Sequence, residues 1–317
     1  MKILLPNTTP LSTDLPDGWE AAVIDAREPI PAEHHDAEAL VVWGASRRHL
    51  ASAATELPKL RFVQSLAAGV DGILAAGFRD DVVIATGAGL HSQTVSEHTL
   101  AMLLAVLRSL PQCLKAQERH EWADELGGMQ ELRPEGRLTS LMDTRVLIWG
   151  FGQIGQHLAP LLSALGAQVQ GVARSAGERA GCPVIAEDAV MDALPETDVL
   201  ISILPATEKT TRIVNAEVLA ALPDHAIFVN VGRGATVDQA ALKEALEAGT
   251  LGAATLDVTE PEPLPADDPL WQAPRLLITP HAAGGRPVGA DERIRANLQA
   301  LNDGGEILQP ADRTVNG

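Results

Sequence analysis

Three kinds of polar side chain follow three apolar segments in the second half of the chain. They are a guanidinium at Arg233, carboxylates at Glu260 and Glu262, and an imidazole at His281. A planar guanidinium can hold a carboxylate through two parallel hydrogen bonds, and an imidazole gives or takes one proton near neutral pH. A carboxylate touching that imidazole fixes its tautomer and favours its protonated form. These residue types predict acid/base chemistry on a small anionic molecule that the guanidinium orients.

A glycine-rich turn links an apolar segment to a helix-like segment in the middle of the chain. The run is Val146-Leu-Ile-Trp-Gly150-Phe-Gly152-Gln153-Ile154-Gly155, and a helical pattern follows at residues 157–165. Gly150 allows a tight turn, Gly152 lets backbone amides approach a pyrophosphate, and Gly155 lets the helix pack closely on the strand. The phosphates would then lie at the positive end of a helix. Because both flanking elements are present, the sequence predicts a dinucleotide cofactor, towards which the three polar groups converge.

Apolar segments alternate with helix-like stretches along the chain, as in α/β proteins. The first third contains predicted strands at residues 3–5, 21–24, 40–43, 62–66 and 82–85. A second series lies at 145–149, 168–172, 199–204, 227–231, 253–258 and 276–279. The two series predict two doubly wound parallel sheets. Ligands of such sheets bind at the carboxyl ends of the strands, which is where Arg233, the two glutamates and His281 stand.

One long predicted helix separates the two series of strands. Thr94-Val-Ser-Glu97 has the form of a capping box, and apolar residues follow at helical spacing up to Pro111. The helix fits a connector between domains or an ordinary core helix. A second helical pattern at residues 290–301 indicates a return to the first domain. We therefore expect a discontinuous substrate domain at 1–93 and 286–317, with a dinucleotide-binding domain at 94–285.

The composition of the chain limits the kinds of molecule that the protein is expected to bind. The 317 residues favour two domains, and the formal net charge of −18, with a pI near 4.8, repels polyanions. We therefore expect binding neither to nucleic acid nor to an anionic membrane. The chain has two cysteines, no N-terminal signal pattern and no long apolar span, which predicts a cytoplasmic protein. Glu33-His34-His35-Asp36 matches no metal-ligand spacing, and we expect no metal.

Seven ordered motifs resemble those of the D-isomer-specific 2-hydroxyacid dehydrogenase family, over nearly the whole chain. They are Ser65-Leu-Ala-Ala68-Gly69-Val-Asp71, Glu97-His98, Gly150 to Gly155, Leu204-Pro205-Ala-Thr207, Val231-Gly232-Arg233-Gly-Ala-Thr-Val-Asp238, Asp257-Val-Thr-Glu-Pro-Glu262-Pro263 and Thr279-Pro280-His281. The resemblance implies a Rossmann nucleotide-binding domain inserted into a flavodoxin-like substrate domain. Within the family, the chain looks like a glyoxylate/hydroxypyruvate reductase.

The resemblance also implies roles for the polar residues. Arg233 would bind the carboxylate and carbonyl of the substrate, and His281 would be the acid/base. Glu262 would be the partner of His281, because it falls five residues after Asp257, as the family motif requires, whereas Glu260 does not.

Further substrate and cofactor contacts follow from the same resemblance. Backbone amides of Ala68 and Gly69 would receive the substrate carboxylate, with closure of a cleft assembling the site. Trp43 would line the substrate pocket, although a packed surface tryptophan fits equally well. The expected cofactor-binding residues are Gly150, Gly152, Gln153, Ile154, Gly155, Leu204, Pro205, Val231, Gly232, Arg233, Asp257 and His281.

The charge near the second strand of the later series predicts the choice of cofactor. An acidic residue that accepts the adenosine ribose hydroxyls is expected about 20 residues after the glycines, but Ala173 stands there. Arg174 and Ser175 follow it and offer a guanidinium and a hydroxyl to a 2′-phosphate. NADP(H) is therefore favoured over NAD(H). The alternative is that Arg174 is a solvated loop residue and that selectivity is weak.

The sequence thus predicts an oxidoreductase that reduces a small 2-keto acid, with glyoxylate or hydroxypyruvate favoured, to a D-2-hydroxy acid. A homodimer is implied by the resemblance alone. Gly284-Gly285-Arg286-Pro287 departs from the family, which often has a serine or threonine shortly after the histidine. One alternative is a non-catalytic, nucleotide-sensing binding protein of the same fold; another is a phosphite-type dehydrogenase. Formate dehydrogenases are disfavoured because they carry an amide at the position of Glu262, and an S-adenosyl-binding enzyme would have no use for the three polar groups.

Overall fold

The chain forms two compact units. The computed structural model describes residues 1–129, 131, 133–134 and 137–312. The terminal unit contains Met1–His91 and the described residues from Arg286 onward, and the central unit contains Ser92–Gly285. Residues 313–317, which we assign to the first domain from the sequence, lie outside the described residues.

The sheet of the terminal unit is wholly parallel. Its strands are β1 (Lys2–Pro6), β2 (Glu20–Ile24), β3 (Ala39–Val42), β4 (Phe62–Ser65) and β5 (Val83–Ala85), in the order β2-β1-β3-β4-β5. This is the flavodoxin-like order, as predicted. Two helices of this unit are α1 (Arg47–Glu56) and α2 (Asp71–Leu74). The side chains of Leu4 and Leu40 face one core layer, and those of Ile3 and Val41 face the other. Burial of both faces explains why these strands are continuous apolar runs.

The central unit contains a larger sheet with the Rossmann arrangement. Its strands are β6 (Arg145–Trp149), β7 (Gln168–Ala173), β8 (Gly177–Arg179), β9 (Cys182–Ala186), β10 (Val199–Ser202), β11 (Ile227–Asn230), β12 (Ala253–Leu256) and β13 (Leu276–Ile278). Their order is β13-β12-β11-β10-β6-β7-β9-β8, and every pair is parallel except β8 with β9. The order reverses beside β6, where such sheets bind nucleotides. The predicted α/β class is confirmed, but strands β8 and β9 are additional to the prediction.

The helices of the central unit, together with the last helix of the chain, complete the layers. They are α3 (Ser92–Leu107), α4 (Leu110–Glu118), α5 (Gln153–Ala164), α6 (Val190–Ala193), α7 (Ala216–Ala220), α8 (Gln239–Ala248) and α9 (Ala290–Asp303). The predicted capping box is wrong, because α3 begins at Ser92 and Thr94 lies inside it. Pro111 does not end that helix either; it lies in the first turn of α4, a position that proline favours. Within the described ranges, no single helix has the length and apolar character to cross a membrane, although α3 and α4, bent by 67°, pass that test together.

Helix α9 brings the last part of the chain into the core of the terminal unit. Its residues Ile294 and Leu298 pack in the same cluster as Ile3. Asn297, which is fully buried, donates its amide to Gln64 Oε1 at 2.7 Å and accepts the backbone N–H of Leu308 at 2.7 Å. A buried amide with partners on β4 and on the tail fixes this helix in one register.

Candidate active site

The glycine turn between β6 and α5 has the shape that a phosphate cradle needs. Gly150 has φ +100°, a conformation that L-residues with side chains rarely adopt. A Cβ on Gly155 would lie 3.2 Å from Ile148 Cγ2 and from Gly150 O, so this glycine lets α5 approach β6. A Cβ on Gly152 would meet no atom within 4 Å, and no side chain caps the helix there. The open space beside Gly152 and the N–H groups of α5 fit a bound pyrophosphate.

The segments that leave neighbouring strands of the central sheet pack backbone against backbone. A Cβ on Gly150 would lie 2.7 Å from Ile203 O, and one on Gly232 would lie 2.6 Å from Leu204 O. A Cβ on Gly234 would lie 2.0 Å from Thr259 O. Such distances are too short for any side chain. The segments after β6, β10, β11 and β12 therefore form one closely packed edge, along which the candidate residues are arranged.

Arg233 lies in the segment after β11, and its backbone is fixed by side chains. Asn230 donates its amide to Arg233 O at 3.1 Å and accepts the N–H of Gly232 at 3.1 Å. Thr236 Oγ1 donates to Arg233 O at 2.7 Å. The guanidinium is half-buried and donates to Gly232 O at 2.8 Å, and no carboxylate among the described residues forms an ion pair with it. Its remaining donors are free to bind an anion.

His281 and Glu262 contact each other, although they lie on different segments. His281 Nδ1 is 2.9 Å from Glu262 Oε2. Glu262 Oε1 accepts the N–H of Thr259 at 3.2 Å, which fixes the other side of the carboxylate. Because a carboxylate only accepts, Nδ1 carries the proton of this bond, and Nε2 is left to exchange a proton with another molecule. The side chains are 49% and 39% exposed, so the pair is accessible from solvent.

Asp257 lies beneath the turn that carries His281. The residue is 2% exposed, and its carboxylate accepts the backbone N–H groups of Ala282 at 2.8 Å and Ala283 at 3.0 Å. Its backbone carbonyl accepts the N–H of His281 at 2.8 Å. His281 has φ +52°, a strained conformation for a residue with a side chain. The hydrogen bonds to Asp257 hold that conformation, while a contact of Asp257 with the cofactor stays a prediction.

A second arginine, Arg179, lies near the end of β7, and the sequence analysis does not identify it. Ala173 ends the strand, and Arg174 and Ser175 follow it in exposed positions. Arg179, on β8, donates to Ser175 Oγ at 2.8 Å and to Ser175 O at 3.0 Å. Ser175 therefore lies beside one guanidinium and next in sequence to another. The hairpin of β8 and β9 brings Arg179 beside Ser175. These strands are short and contain glycine and proline, so the sequence does not predict them.

The other expected cofactor contacts differ in exposure. Leu204 and Val231, which follow β10 and β11, are buried, and Ile154 is half-buried. Gln153 and Pro205 are exposed. Their contacts with a cofactor stay predictions.

The terminal unit has its own pocket at the carboxyl ends of β3 and β4. Its volume is 430 Å³, and Trp43, Ala67 and Gly69 are among its lining residues. Ala68 is exposed in the same loop, and Ser65 Oγ anchors the loop by accepting the N–H of Ala67 at 3.1 Å. The carboxyl ends of parallel strands are the usual ligand-binding edge. Trp43, Ala68 and Gly69 thus share one edge of this unit.

The ring of Trp43 is held by a histidine whose role the sequence analysis does not identify. The imidazole of His91 stacks on it, with ring centroids 5.2 Å apart and planes inclined by 19°. His91 Nε2 lies 2.8 Å from Leu66 O, and the ring is buried. Burial lowers the pKa of His91, which favours the neutral ring. Trp43 is therefore a fixed wall of the pocket.

Comparisons with known proteins agree with this geometry. The family model described as D-isomer specific 2-hydroxyacid dehydrogenase, NAD binding domain, matches residues 100–283. Glyoxylate/hydroxypyruvate reductase A of Serratia proteamaculans is 32% identical over 283 residues, which cover 86% of each chain. The chain belongs to the D-isomer specific 2-hydroxyacid dehydrogenase family. The predicted family is thus confirmed.

Two solved structures of the family resemble the whole chain. One is a D-isomer specific 2-hydroxyacid dehydrogenase family protein from Aeromonas salmonicida, with a TM-score of 0.82 and 31% identity over 98% of both chains. The other is an NADPH-dependent glyoxylate/hydroxypyruvate reductase from Sinorhizobium meliloti in complex with NADP and sulfate. Its TM-score is 0.81 at 27% identity, and the match covers 100% of this chain and 99% of that one.

The open space at Gly152 predicts a substitution that separates folding from cofactor binding. In Gly152→Ala, the new methyl group meets no protein atom and φ is −87°, so the melting temperature should stay within about 2 °C of wild type. The methyl group would occupy the space for the pyrophosphate, and the Kd for NADPH should rise about tenfold or more, measured by fluorescence titration. Gly127→Ala is a matched control, because its nearest atom is Asp124 O at 3.8 Å. Unchanged NADPH affinity in Gly152→Ala would contradict the assigned cradle.

Proposed function

We propose that this protein is an NADPH-preferring reductase of small 2-keto acids, with glyoxylate and hydroxypyruvate as favoured substrates and a D-2-hydroxy acid as product. The observation that carries the proposal is the 2.9 Å contact between His281 Nδ1 and Glu262 Oε2. This contact provides an oriented imidazole at the edge of a nucleotide-binding sheet. A nucleotide-sensing protein without catalysis has no use for such a pair.

His281 supplies the proton for the reduction. Its Nδ1–H is held by Glu262, which fixes the orientation of the imidazole. Nε2 then donates its proton to the carbonyl oxygen of the keto acid and leaves a hydroxyl group. NADPH, when bound, supplies the hydride that reduces the carbonyl carbon. In the oxidative direction, the same nitrogen accepts the proton from the hydroxyl group.

Arg233 orients the substrate. Its guanidinium donors, beyond the one that contacts Gly232 O, bind the carboxylate and the carbonyl oxygen of a 2-keto acid. A fixed carboxylate leaves the keto group in one orientation, which gives one enantiomer of the product. The side chains of Asn230 and Thr236 hold the backbone of this arginine, and Gly232 O accepts from its guanidinium, so little flexibility is lost on binding.

The pocket of the terminal unit fits a small carboxylate. We assign the N–H groups of Ala68 and Gly69 to the substrate carboxylate. Trp43, fixed by its stack on His91, lines the same pocket. A rigid indole wall favours acids with a hydrogen or a hydroxymethyl group beside the keto carbon over acids with bulky side chains.

Selectivity for NADPH follows from the charge at the end of β7. The place of a ribose-binding carboxylate is taken by Ala173. Arg174, Ser175 and Arg179 instead offer two guanidinium groups and a hydroxyl group to the 2′-phosphate. The Sinorhizobium relative, whose structure contains NADP, supports this preference.

We also propose a homodimer in the cytoplasm. Large apolar side chains are exposed on α4 and after it, at Leu114 (58%), Trp122 (90%) and Met129 (105%). These three exposed side chains come from one segment of the chain, and exposed apolar groups that lie together mark a protein contact. Cys113 and Cys182 are both free, as in a reducing compartment. The net charge of −18 disfavours nucleic acid and anionic membranes as partners.

A substrate panel tests the activity. NADPH oxidation, followed by absorbance, should be fastest with glyoxylate and hydroxypyruvate, slower with pyruvate and slowest with acids that carry large side chains.

In His281→Gln, kcat should fall about 100-fold or more while the Kd for NADPH stays within about twofold. In Arg233→Lys, kcat/KM should fall about 100-fold because an ammonium lacks the planar fork.

Arg275→Lys is the matched control, since this guanidinium of the central unit contacts only backbone carbonyls in the described structure. Absence of turnover with every keto acid, together with tight NADPH binding, would overturn the reductase and favour nucleotide sensing. Reduction of NADP⁺ by phosphite would favour a phosphite-type dehydrogenase.

The two arginines near Ser175 predict cofactor selectivity. Arg174→Ala and Arg179→Ala should each raise the KM for NADPH about tenfold and leave the KM for NADH within about twofold, because only NADPH carries the 2′-phosphate. Steady-state kinetics with both cofactors measure this difference. Arg212→Ala, a change in another loop of the same unit, should alter neither value. Equal losses for both cofactors would show that the arginines do not read the phosphate.

The exposed apolar residues predict the oligomeric state. Light scattering should give a mass of about 67 kDa, which is twice the 33.4 kDa of one chain. Trp122→Glu should shift the protein towards the monomer, because a charge at an apolar contact is costly to bury. Val23→Glu changes another exposed apolar residue, 61% exposed, in the terminal unit, and should leave the mass unchanged. A monomeric wild-type protein at micromolar concentration contradicts the dimer.

A further inference from the structure

A second histidine contacts the carboxylate of Asp257, the same group that holds the turn after His281. His98, in the second turn of α3, has its Nε2 3.2 Å from Asp257 Oδ1 and 3.0 Å from Thr279 Oγ1. Thr279 Oγ1 itself donates to Asp257 Oδ1 at 2.6 Å. The carboxylate side chain is 1% exposed and the imidazole 23% exposed. The three groups thus form a largely buried polar cluster that no step of the proposed reaction uses.

The geometry of this cluster fixes the proton positions. The carboxylate of Asp257 can only accept, and the single hydroxyl proton of Thr279 points to it. Both atoms near His98 Nε2 are therefore acceptors towards the imidazole, which requires a proton on Nε2. His98 accordingly donates its Nε2–H to Thr279 Oγ1, and its ring lies beside the Asp257 carboxylate, with Nε2 3.2 Å from Oδ1. The Thr279 hydroxyl in turn donates to this buried anion, a type of hydrogen bond that is strong and specific in direction.

Asp257 transmits this contact to the acid/base. Oδ1, which faces His98, also accepts the N–H of Ala282, and Oδ2 accepts the N–H of Ala283. These two amides directly follow His281, whose φ is +52°. A strained backbone persists only where its surroundings hold it. The rotation of the Asp257 carboxylate therefore determines the conformation of the turn. The turn then determines whether the His281 imidazole faces Glu262.

We propose that His98 is a positioning residue for proton transfer by His281. It acts through Thr279 and Asp257: its Nε2–H orients the Thr279 hydroxyl, which donates to the carboxylate and keeps it in the rotation that holds the turn after His281, so that the imidazole stays in line with Glu262. The inference rests on the proposed role of His281. The link spans α3, the end of β12 and the segment after β13, all within the central unit.

The same unit contains a comparable pair that has no connection to the turn. His225 Nε2 lies 2.7 Å from Asp198 Oδ1, and Asp198 Oδ2 accepts the N–H of Arg145 at 2.8 Å. The side chains are 29% and 8% exposed, close to the values of the first pair. Asp198 precedes β10 and Arg145 begins β6, so this pair lies at the amino ends of the strands. It serves as a matched control for the loss of a buried histidine–aspartate contact.

The test compares His98→Ala, His98→Gln and His225→Ala. In His98→Ala, kcat for glyoxylate should fall about 30-fold, and the solvent deuterium isotope effect on kcat should rise because proton transfer becomes rate-limiting. The Kd for NADPH should stay within about threefold of wild type. His98→Gln, whose amide can donate from a similar position, should recover at least about a third of kcat. His225→Ala should lower the melting temperature by about as much as His98→Ala does. It should leave kcat and the solvent isotope effect unchanged.

A second measurement does not depend on turnover. Long-range ¹H–¹⁵N spectra of the protein with ¹⁵N-labelled histidine report the tautomer of each imidazole, and His281→Gln assigns the signal of His281. In wild type and in His98→Gln, His281 should carry its proton on Nδ1. In His98→Ala, it should become a mixture of tautomers, because the contact with Glu262 is no longer held.

Two results overturn the proposal. One is an unchanged kcat and an unchanged His281 signal in His98→Ala. The other is a loss that His98→Gln does not restore and that His225→Ala reproduces, which would make the contact purely structural. If the wild-type protein reduces no keto acid, the proposed function fails, whereas the tautomer of His281 in wild type, His98→Gln and His98→Ala still decides the role of His98.

Discussion

The backbone contacts at the carboxyl edge of the central sheet are the constraint on which the site depends. At Gly150, Gly232 and Gly234, the chain passes a neighbouring segment at distances that exclude even a methyl group. These approaches pack the segments after β6, β10, β11 and β12 into one edge. The nucleotide cradle, Arg233 and Glu262 lie on three of these segments. Their mutual positions are therefore set by backbone packing, which is stiffer than contacts between side chains.

On this edge, the two groups to which we assign proton transfer are oriented rather than deeply buried. His281 and Glu262 are 49% and 39% exposed, so water screens their attraction and the pair adds little to the stability of the fold. The contact instead orients the imidazole, because Nδ1 is bonded to Glu262 and Nε2 is left for another molecule. The buried carboxylate of Asp257 supports that direction from below through amides and the hydroxyl group of Thr279. An exposed reactive group above a buried polar support is accessible to substrate and still fixed in orientation.

Much of this arrangement could be predicted from the sequence because the signals are local. Continuous apolar runs mark strands buried on both faces, and the residues that follow them, Arg233 and His281, fall at the ligand-binding edge. The choice of Glu262 over Glu260 required the family motif, and the structure places Glu262 against His281. The start of α3 was mispredicted because Thr94 and Glu97 match a capping pattern in sequence, whereas the helix begins one half-turn earlier.

The remaining parts could not be predicted because they depend on residues far apart in sequence. His98 and Asp257 meet only when α3 packs on the sheet, a contact separated by 159 positions, the difference between their numbers. The contact of Arg179 with Ser175 spans only four positions, and it could not be predicted for another reason: it needs the hairpin of β8 and β9, whose strands are short and contain glycine and proline. The stack of His91 on Trp43 likewise joins two loops of the terminal unit. Local patterns contain no information about such contacts, which arise from tertiary packing.

The position of α9 determines the order in which the cores of the two units can be completed during synthesis. The ribosome delivers the first five strands early, but the cluster around Ile3 and Leu5 lacks Ile294 and Leu298 until almost the whole chain has emerged. The central unit has all of its strands by Ile278 and completes its core sooner. The nascent amino-terminal sheet therefore lacks Ile294 and Leu298 in one of its two apolar layers throughout that interval.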